Sequence, residues 1–205
     1  DAIDLHGRQR ETAYQLVKIG EEVKRDRENA YVGTQQVAAV GNAADTARKM
    51  AGAQAQIDDS LVFDNGGTPR PLDEATVLAA HEALYSEGAD PTMMLVKPAD
   101  AVIVAGFAGI DDGTRIRDFG TGTKVVNAVE VLVTPFGTLK VVIDRFINAE
   151  DALLFDPDMW KTLVLRPWTR EPLAKVGDSE RHQLIGEFSL KHSNYKASAQ
   201  ITDLS

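Results

Sequence analysis

The chain has 205 residues, so one large domain or two small ones fit, with enough length to bury a proper core. Its formal net charge is −9, from 31 acidic against 22 basic residues, which argues against nucleic-acid binding as a main function because phosphates would be repelled. It contains no cysteine, which excludes disulfides and zinc–thiolate sites, and no apolar run approaches the roughly 20 residues that span a membrane.

The first predicted element is a long helix over residues 9–40. Its apolar residues recur at a spacing of about 3.6 residues, and oppositely charged side chains at (i, i+4) positions support the helix between residues 21 and 28. Because the apolar stripe is thin, the pattern predicts an exposed strut that lies across a sheet. Gly33 or Gly41 is the expected end or kink of this helix.

A loop, a second helix and a buried strand follow. Residues 43–70 are rich in small and acidic residues, which predicts a short element and an exposed loop. Residues 71–88 predict a helix that Gly88 ends. Residues 93–96 predict a buried strand that Pro98 closes.

The middle of the chain predicts polar loops and strands. The longest apolar stretch, residues 101–110, has the length of a strand and is interrupted by glycine. Residues 111–123 are polar and predict a loop. A β-hairpin follows, with alternating strands over residues 125–133 and 139–143 around a turn at residues 135–138.

The C-terminal part predicts a buried strand at residues 152–155, a single helical turn at residues 156–158, and then a ribbon. Residues 170–204 predict two or three antiparallel strands joined by polar turns. One of these strands alternates clearly and places on one face Leu184, Gly186, Phe188 and Leu190. A ribbon of this kind is more often an interaction element than an active site. Mixed elements with antiparallel pairing predict an α+β fold.

No catalytic, phosphate-binding or metal-binding motif is recognisable. Residues 120–124 lack the spacing of a phosphate-binding loop, and the acidic residues at 111–112 and 156–158 lack the ligand pattern of a calcium loop. His182 and His192 are predicted to lie on a strand surface. The other two histidines, His6 and His81, show no metal-site spacing either.

Three carboxylates are candidates for a hidden glycosidase-like pair: Glu130, Asp144 and Asp151. Nothing in the sequence distinguishes them from a solvated strand face. Trp160 and Trp168 are predicted to be core or interface anchors rather than a carbohydrate platform. We therefore assign no catalytic, cofactor-binding or metal-binding residue, and we expect a protein that is not an enzyme and needs no cofactor.

Four segments of the chain carry a family resemblance. They are RETAYQLVKIGEEVKRDRENAYV (10–32), ALYSEGADPTMMLVKPADAVIVAGFAG (83–109), VLVTPFGTLKVVIDRFI with ALLFDPDMWKTLVLRPW (131–168), and REPLAKVGDSERHQLIGEFSLKHSNYKASAQITDL (170–204). In this order they resemble the major capsid proteins of tailed bacteriophages with the HK97-like fold, in the SU10-type group.

The resemblance implies an α+β, HK97-like capsid fold in three parts. Residues 1–70 would form the first part of a peripheral domain with a long spine helix, and residues 71–168 an axial domain. Residues 169–205 would form the second peripheral part, with antiparallel strands that return beside the spine helix. The N-terminal arm and the extended loop of the family precede the spine helix, and we expect both to be missing here.

The function that the resemblance implies is structural. The chain would be a subunit of an icosahedral phage or prophage capsid, present in the virion and in the host cytoplasm during assembly. Its partners would be copies of itself in pentamers and hexamers, with scaffolding, portal or decoration proteins, around DNA held without sequence specificity and away from any membrane. The alternatives are an encapsulin-type nanocompartment shell and a hydrolase with an unrecognised carboxylate pair.

Overall fold

The computed structural model describes residues 11–42, 47–107, 131–174, 177 and 181–205, which form a mixed fold of helices and strands. The helices are α1 (Glu11–Glu28), α2 (Glu74–Ser86) and α3 (Pro98–Val104). The strands are β1 (Val62–Phe63), β2 (Met93–Val96), β3 (Val131–Thr134), β4 (Gly137–Ile143), β5 (Ala152–Phe155), β6 (Trp160–Pro172), β7 (His182–His192) and β8 (Ser198–Ile201). Within these ranges, no helix combines the length and the apolar character that crossing a bilayer requires.

Six of the strands form one mixed sheet, and the other two form a separate ribbon. The order in the sheet is β1-β8-β5-β2-β4-β3, with parallel pairing of β1 with β8 and of β2 with β4. The remaining pairs in the sheet are antiparallel, and so is the pair of β6 with β7. The predicted α+β class is confirmed.

A single hydrophobic core joins α2 to the sheet. Its largest fully buried apolar side chains come from α2, β2, β4, β5 and β8 and are Leu84, Met94, Leu139, Leu154 and Ile201. The helix α2 begins at a side-chain cap, because Asp73 Oδ1 accepts a hydrogen bond from Thr76 N at 3.0 Å. It ends before Gly88, whose φ of 81° is the left-handed conformation that glycine tolerates. The predicted second helix and its end are confirmed.

The last strand, β8, corrects the predicted placement of the C-terminal strands. It lies between β1 and β5 in the six-stranded sheet, not beside the long helix. All four of its residues are buried, and Ala199 and Ile201 have no exposed surface. Burial on both faces suits a central strand and not a ribbon with one face in water. The prediction for residues 170–204 is therefore wrong for this strand, and the sheet takes strands from all three predicted segments.

The long helix is shorter than predicted. The α-helix ends at Glu28 and continues only as a π-helical turn, Asn29–Gly33, while residues 36–42 are extended or irregular. Two backbone hydrogen bonds turn the chain towards the body: Ala53 N donates to Tyr31 O, and Gly52 N donates to Gln36 O. The predicted end at Gly33 is confirmed, and helix between residues 34 and 40 is not found.

The apolar stretch at residues 101–110, which has the length of a strand, begins within a helix. Residues up to Val104 belong to the helix α3, which begins at Pro98, and residues 108–110 lie outside the described ranges. Proline at the first helical position loses no hydrogen bond and has a helical φ already, so Pro98 starts the helix as well as closing the strand before it. The predicted strands at residues 93–96 and 152–155 are confirmed.

Candidate self-assembly surface

The ribbon is formed by β6 and β7, and β6 carries more exposed large apolar side chains than any other described helix or strand. The two strands pair antiparallel along their length, with two register shifts. Every residue of β6 after Trp160 is exposed, whereas most of β7 is half-buried. Four apolar side chains of β6 lie at the surface, namely Leu163, Val164, Leu165 and Trp168. Several large apolar side chains left in water along one strand favour an interaction surface.

The root of the ribbon is held by a network around His192. Its imidazole stacks on the indole of Trp160, with ring centroids 3.8 Å apart and planes 7° apart. Trp160 Nε1 donates to Ser198 Oγ at 3.0 Å, and Ser198 Oγ lies 3.1 Å from His192 Nε2. His192 Nδ1 lies 3.1 Å from the carbonyl oxygen of Gln56. Because a carbonyl only accepts, we assign the proton to Nδ1, so that Nε2 accepts from Ser198.

The three histidines that the structure describes have different surroundings. His182 is exposed, as predicted, but the surface prediction is wrong for His192, which is enclosed by Trp160 and β8. His81 is fully buried on α2, and His6 lies outside the described ranges. Burial lowers the pKa of His81 and of His192 below the ordinary value of 6.5, because desolvation disfavours the charged ring.

We expect the His192 network to make stability depend on pH. The lowered pKa of His192 means that the folded state prefers the neutral ring. The stabilisation that the neutral ring provides is therefore complete above about pH 6.5 and is lost as the pH falls towards the pKa of His192 in the folded state. Urea unfolding of the wild type and of His192→Asn at pH 7.5 and pH 5 measures this. The wild type should lose more free energy of unfolding on acidification than the variant. Equal losses in both proteins would contradict the pH-dependent role of His192, because the other buried histidine, His81, is present in both and cannot cause a difference.

The helix α1 contacts the ribbon near its C-terminal end. Between residues 13 and 28 no side chain is fully buried, and the half-buried positions follow the predicted stripe, at Leu16, Gly20, Val23 and Arg27. The guanidinium of Arg27 lies 5.5 Å from the ring centroid of Phe188 and 5.9 Å from that of Tyr31. Tyr31 OH donates to Thr162 Oγ1 at 3.3 Å. The predicted exposure of this helix is therefore confirmed for residues 13–28.

A buried carboxylate joins α1 to the body. Asp151 has no exposed surface, and its Oδ2 accepts hydrogen bonds from the side-chain amides of Gln35, Gln54 and Asn148. These three amides come from the segment after α1, from the turn before β1 and from the loop before β5. Sequence reasoning missed this junction, because its hydrogen bonds from Gln35 and Gln54 span about a hundred residues or more.

An open groove of about 1110 Å³ runs between the ribbon and residues 38–40 and 48–51. Its walls carry apolar side chains of β6 and β7 and the segment around Val40. Glu187 forms ion pairs with two arginines. Arg48 Nη2 lies 3.4 Å and Arg166 Nε 3.5 Å from its carboxylate oxygens. Both arginines are exposed, so these ion pairs contribute little to folding and leave the groove accessible.

The structure gives the described candidate carboxylates roles within the fold. Asp144 is buried and its Oδ1 accepts from Phe146 N at 2.8 Å, while Asp151 holds the junction just described. Asp156 Oδ1 accepts from Asp158 N at 3.0 Å and so caps the short helical turn that follows it.

Several candidate residues lie outside the described ranges, namely Glu130, residues 111–112 and residues 120–124. In the described part of the chain, no group of three His, Asp or Glu side chains is placed to hold a metal ion. Trp160 packs against the core, so its predicted anchor role is confirmed. Trp168 lies at the surface, with its ring centroid 4.7 Å from that of Phe188.

The comparison with protein families decides the identity. The family of SU10 major capsid proteins matches residues 1–205. The chain belongs to this family. A major capsid protein of Escherichia phage Phieco32 is 28% identical to it over an alignment of 238 positions, and the match covers 94% of this chain and 68% of that protein. The predicted family is therefore confirmed, and the protein is a phage major capsid protein.

Solved structures of capsid and shell proteins share the fold of this SU10-type capsid protein. The holo-SrpI encapsulin complex from Synechococcus elongatus PCC 7942 matches with a TM-score of 0.60 at 10% identity, covering 98% of this chain and 69% of that one. The procapsid of satellite phage P4, which includes the size determination (Sid) protein, matches with a TM-score of 0.60 at 10% identity, covering 97% and 65%. Identity this low shows the fold alone, and that fold is HK97-like.

Proposed function

We propose that copies of this capsid protein join through the ribbon and α1 into pentamers and hexamers of an icosahedral shell around DNA. The observation that carries the proposal is the exposure of β6, whose apolar side chains include Leu163, Val164 and Leu165. A free subunit keeps these side chains in water, whereas a neighbouring copy would bury them. A closed shell repeats such a contact by symmetry, so each contact can be weak while the sum is large.

The charge of the ribbon supports contact with another copy. The strands β6 and β7 carry four basic and two acidic residues, a net charge of +2 in a chain whose total is −9. The rest of the chain is therefore strongly acidic, and a ribbon from one subunit is electrostatically complementary to the body of the next. The contact should weaken as salt rises, because exposed charges are screened.

We also propose how the chain divides into the two domains of the fold. The axial part would be the six-stranded sheet with α2 and α3, and the peripheral part would be α1 with the ribbon. This division moves β8 from the peripheral part to the axial one, since it pairs with β1 and β5. The junction at Asp151 and the root at His192 would then connect the two parts.

We infer that the chain has no catalytic activity of its own and that it occupies the virion, after assembly in the host cytoplasm with scaffolding, portal or decoration proteins. The capsid family supports a structural role. An encapsulin-type shell has the same fold and is the less supported candidate, because the matching family and the curated relative are both phage major capsid proteins. A cargo peptide that co-purifies with the assembled protein would favour that candidate.

Electron microscopy of the full-length gene product, expressed alone and then with its neighbouring structural genes, tests the proposed function. Closed particles with five-fold and six-fold clusters of subunits are the expected result. A protein that stays monomeric in every combination, at concentrations where other capsid proteins assemble, contradicts the proposal.

Charge reversal at two neighbouring arginines of α1 separates assembly from folding. Arg25→Glu changes an exposed side chain, so it should change the free energy of unfolding by less than about 0.5 kcal/mol while reducing assembly. Arg27→Glu removes the stacking on Phe188 and Tyr31, so it should cost about 1–2 kcal/mol as well. Denaturant unfolding and light scattering measure the two effects. Equal destabilisation by both substitutions would argue against these contacts.

A further inference from the structure

The exposed turn after β1 contains the only Asn-Gly step of the chain, Asn65 followed by Gly66. Thr68 N donates to Asn65 O at 3.3 Å and closes the turn. Gly66 and Gly67 have φ angles of 64° and 76°, the left-handed conformation that glycine adopts without a steric cost. A Cβ atom built on Gly66 would meet nothing within 4 Å. The turn therefore leaves the carboxamide of Asn65 and the residue that follows it accessible to water.

Asp203 holds two backbone amides of this turn and leaves out the one between them. Its Oδ2 accepts from Asn65 N at 2.7 Å and from Gly67 N at 2.9 Å. The intervening amide, Gly66 N, lies 3.4 Å from Asp64 Oδ1, which is too long for a strong hydrogen bond. The nitrogen that follows the carboxamide of Asn65 in the chain is thus held weakly, whereas the amides on either side of it are held firmly.

We propose that Asn65 is a site of spontaneous deamidation through a cyclic imide. Gly66 N loses its proton to hydroxide and forms a bond to Cγ of Asn65, and Nδ2 leaves as ammonia. Water then opens the imide at either carbonyl, so aspartate and isoaspartate form and the net reaction exchanges ammonia for water. The side chain gives up its hydrogen bond from Nδ2 to Thr68 O, which is 2.7 Å long, and water can replace that acceptor because the turn is exposed.

The modification reaches the edge of the sheet through Asp203, two residues after β8. The φ of Asp203 is 60°, a left-handed conformation that is uncommon outside glycine and is kept only where the surroundings hold it. Its carbonyl oxygen accepts from Arg70 N at 2.7 Å, and its carboxylate holds the two amides of the turn. Isoaspartate adds a carbon atom to the main chain between these amides and places a second carboxylate near the first. The altered turn should therefore release Asp203 and weaken the pairing of β1 with β8.

Ageing of the full-length protein, unassembled and in mildly alkaline buffer, tests the proposal by peptide mapping with mass spectrometry and by enzymatic methylation of isoaspartate. Position 65 should accumulate aspartate and isoaspartate over days. Asn194 is the internal control, because it is also exposed in a turn but precedes Tyr195, whose side chain shields the attacking nitrogen. It should stay unmodified over the same time. Asn65→Gln should also stay unmodified at position 65, since its longer side chain forms a less favourable ring.

Urea unfolding of fresh and aged protein tests the consequence for Asp203. The midpoint should fall on ageing in the wild type and stay constant in Asn65→Gln, each protein being compared with its own fresh sample. If position 65 stays intact in the folded protein while the urea-unfolded chain reacts there, the fold protects Asn65 and the proposal is wrong. Equal modification of Asn65 and Asn194 would also overturn it. An unchanged midpoint in aged, modified wild type would refute the connection to Asp203.

Discussion

Replacing Gly33 by alanine should detach α1 from the body of the protein. A Cβ atom at this position would lie 2.5 Å from the carbonyl oxygen of Phe146 and still closer to the side chain of Asn29. The Asn29 amide can rotate away, but the Phe146 carbonyl is backbone in the loop that also holds Asp151. Forcing an extra methyl group into such a contact costs about 1–3 kcal/mol, and we expect the upper end. Urea unfolding followed by circular dichroism measures the loss.

Gly20 is the matched control for this substitution. It lies in the middle of α1, and a Cβ atom there would meet nothing within 4 Å. Gly20→Ala should stabilise the protein by about 0.5–1 kcal/mol, because alanine loses less backbone entropy in a helix than glycine does. If assembly requires α1 to keep its direction relative to the body, assembly should be lost in Gly33→Ala and retained in Gly20→Ala. Similar stability of the two variants would show that the close approach at Gly33 is wrong.

Removing the carboxylate of Asp151 should have an effect of similar size. Asp151→Ala takes away the acceptor that the amides of Gln35, Gln54 and Asn148 share. Gln54 Nε2 keeps a second acceptor, the carbonyl oxygen of Val32, and the exposed Gln35 can turn to water. Because a buried donor left unsatisfied costs about 1–3 kcal/mol, we expect a total loss of about 2–3 kcal/mol. Thermal unfolding monitored by tryptophan fluorescence is a suitable measurement, since Trp160 reports on the root of the ribbon.

Glu150→Ala is the control for the junction. Glu150 is the preceding residue and is exposed, and its backbone carbonyl, which accepts from Leu204 N, is kept in the variant. A change of less than about 0.5 kcal/mol is expected, as for other surface substitutions. Comparable losses in Asp151→Ala and Glu150→Ala would mean that the junction is not the connection between α1 and the sheet.

Features that repeat along the chain could be predicted from the sequence. The half-buried stripe of α1, through Leu16, Val23 and Arg27, follows the spacing of about 3.6 residues that the sequence displays. The cap of α2 at Asp73 and its end before Gly88 follow from local backbone chemistry. These elements are decided within one or two turns, so short-range patterns are sufficient to identify them.

Features that depend on partners far away in the sequence could not be predicted from it. The placement of β8 depends on the pairing of Val62 with Gln200, and nothing in the sequence of either segment identifies the other as its partner. The junction at Asp151 and the network at His192 depend in the same way on residues far away in sequence, Gln35 and Gln56. A lone aspartate or histidine in the sequence is compatible with a solvated surface, and only the fold shows that it is buried.

If the ribbon is the surface through which copies make contact, the structure of an assembled particle should show it. Electron cryomicroscopy of shells formed by the full-length gene product should place Leu163, Leu165 and Trp168 of each subunit against a neighbouring subunit, with α1 along the same boundary. A closed shell in which β6 faces solvent on every subunit, while other surfaces make the contacts, would show that the ribbon does not mediate assembly.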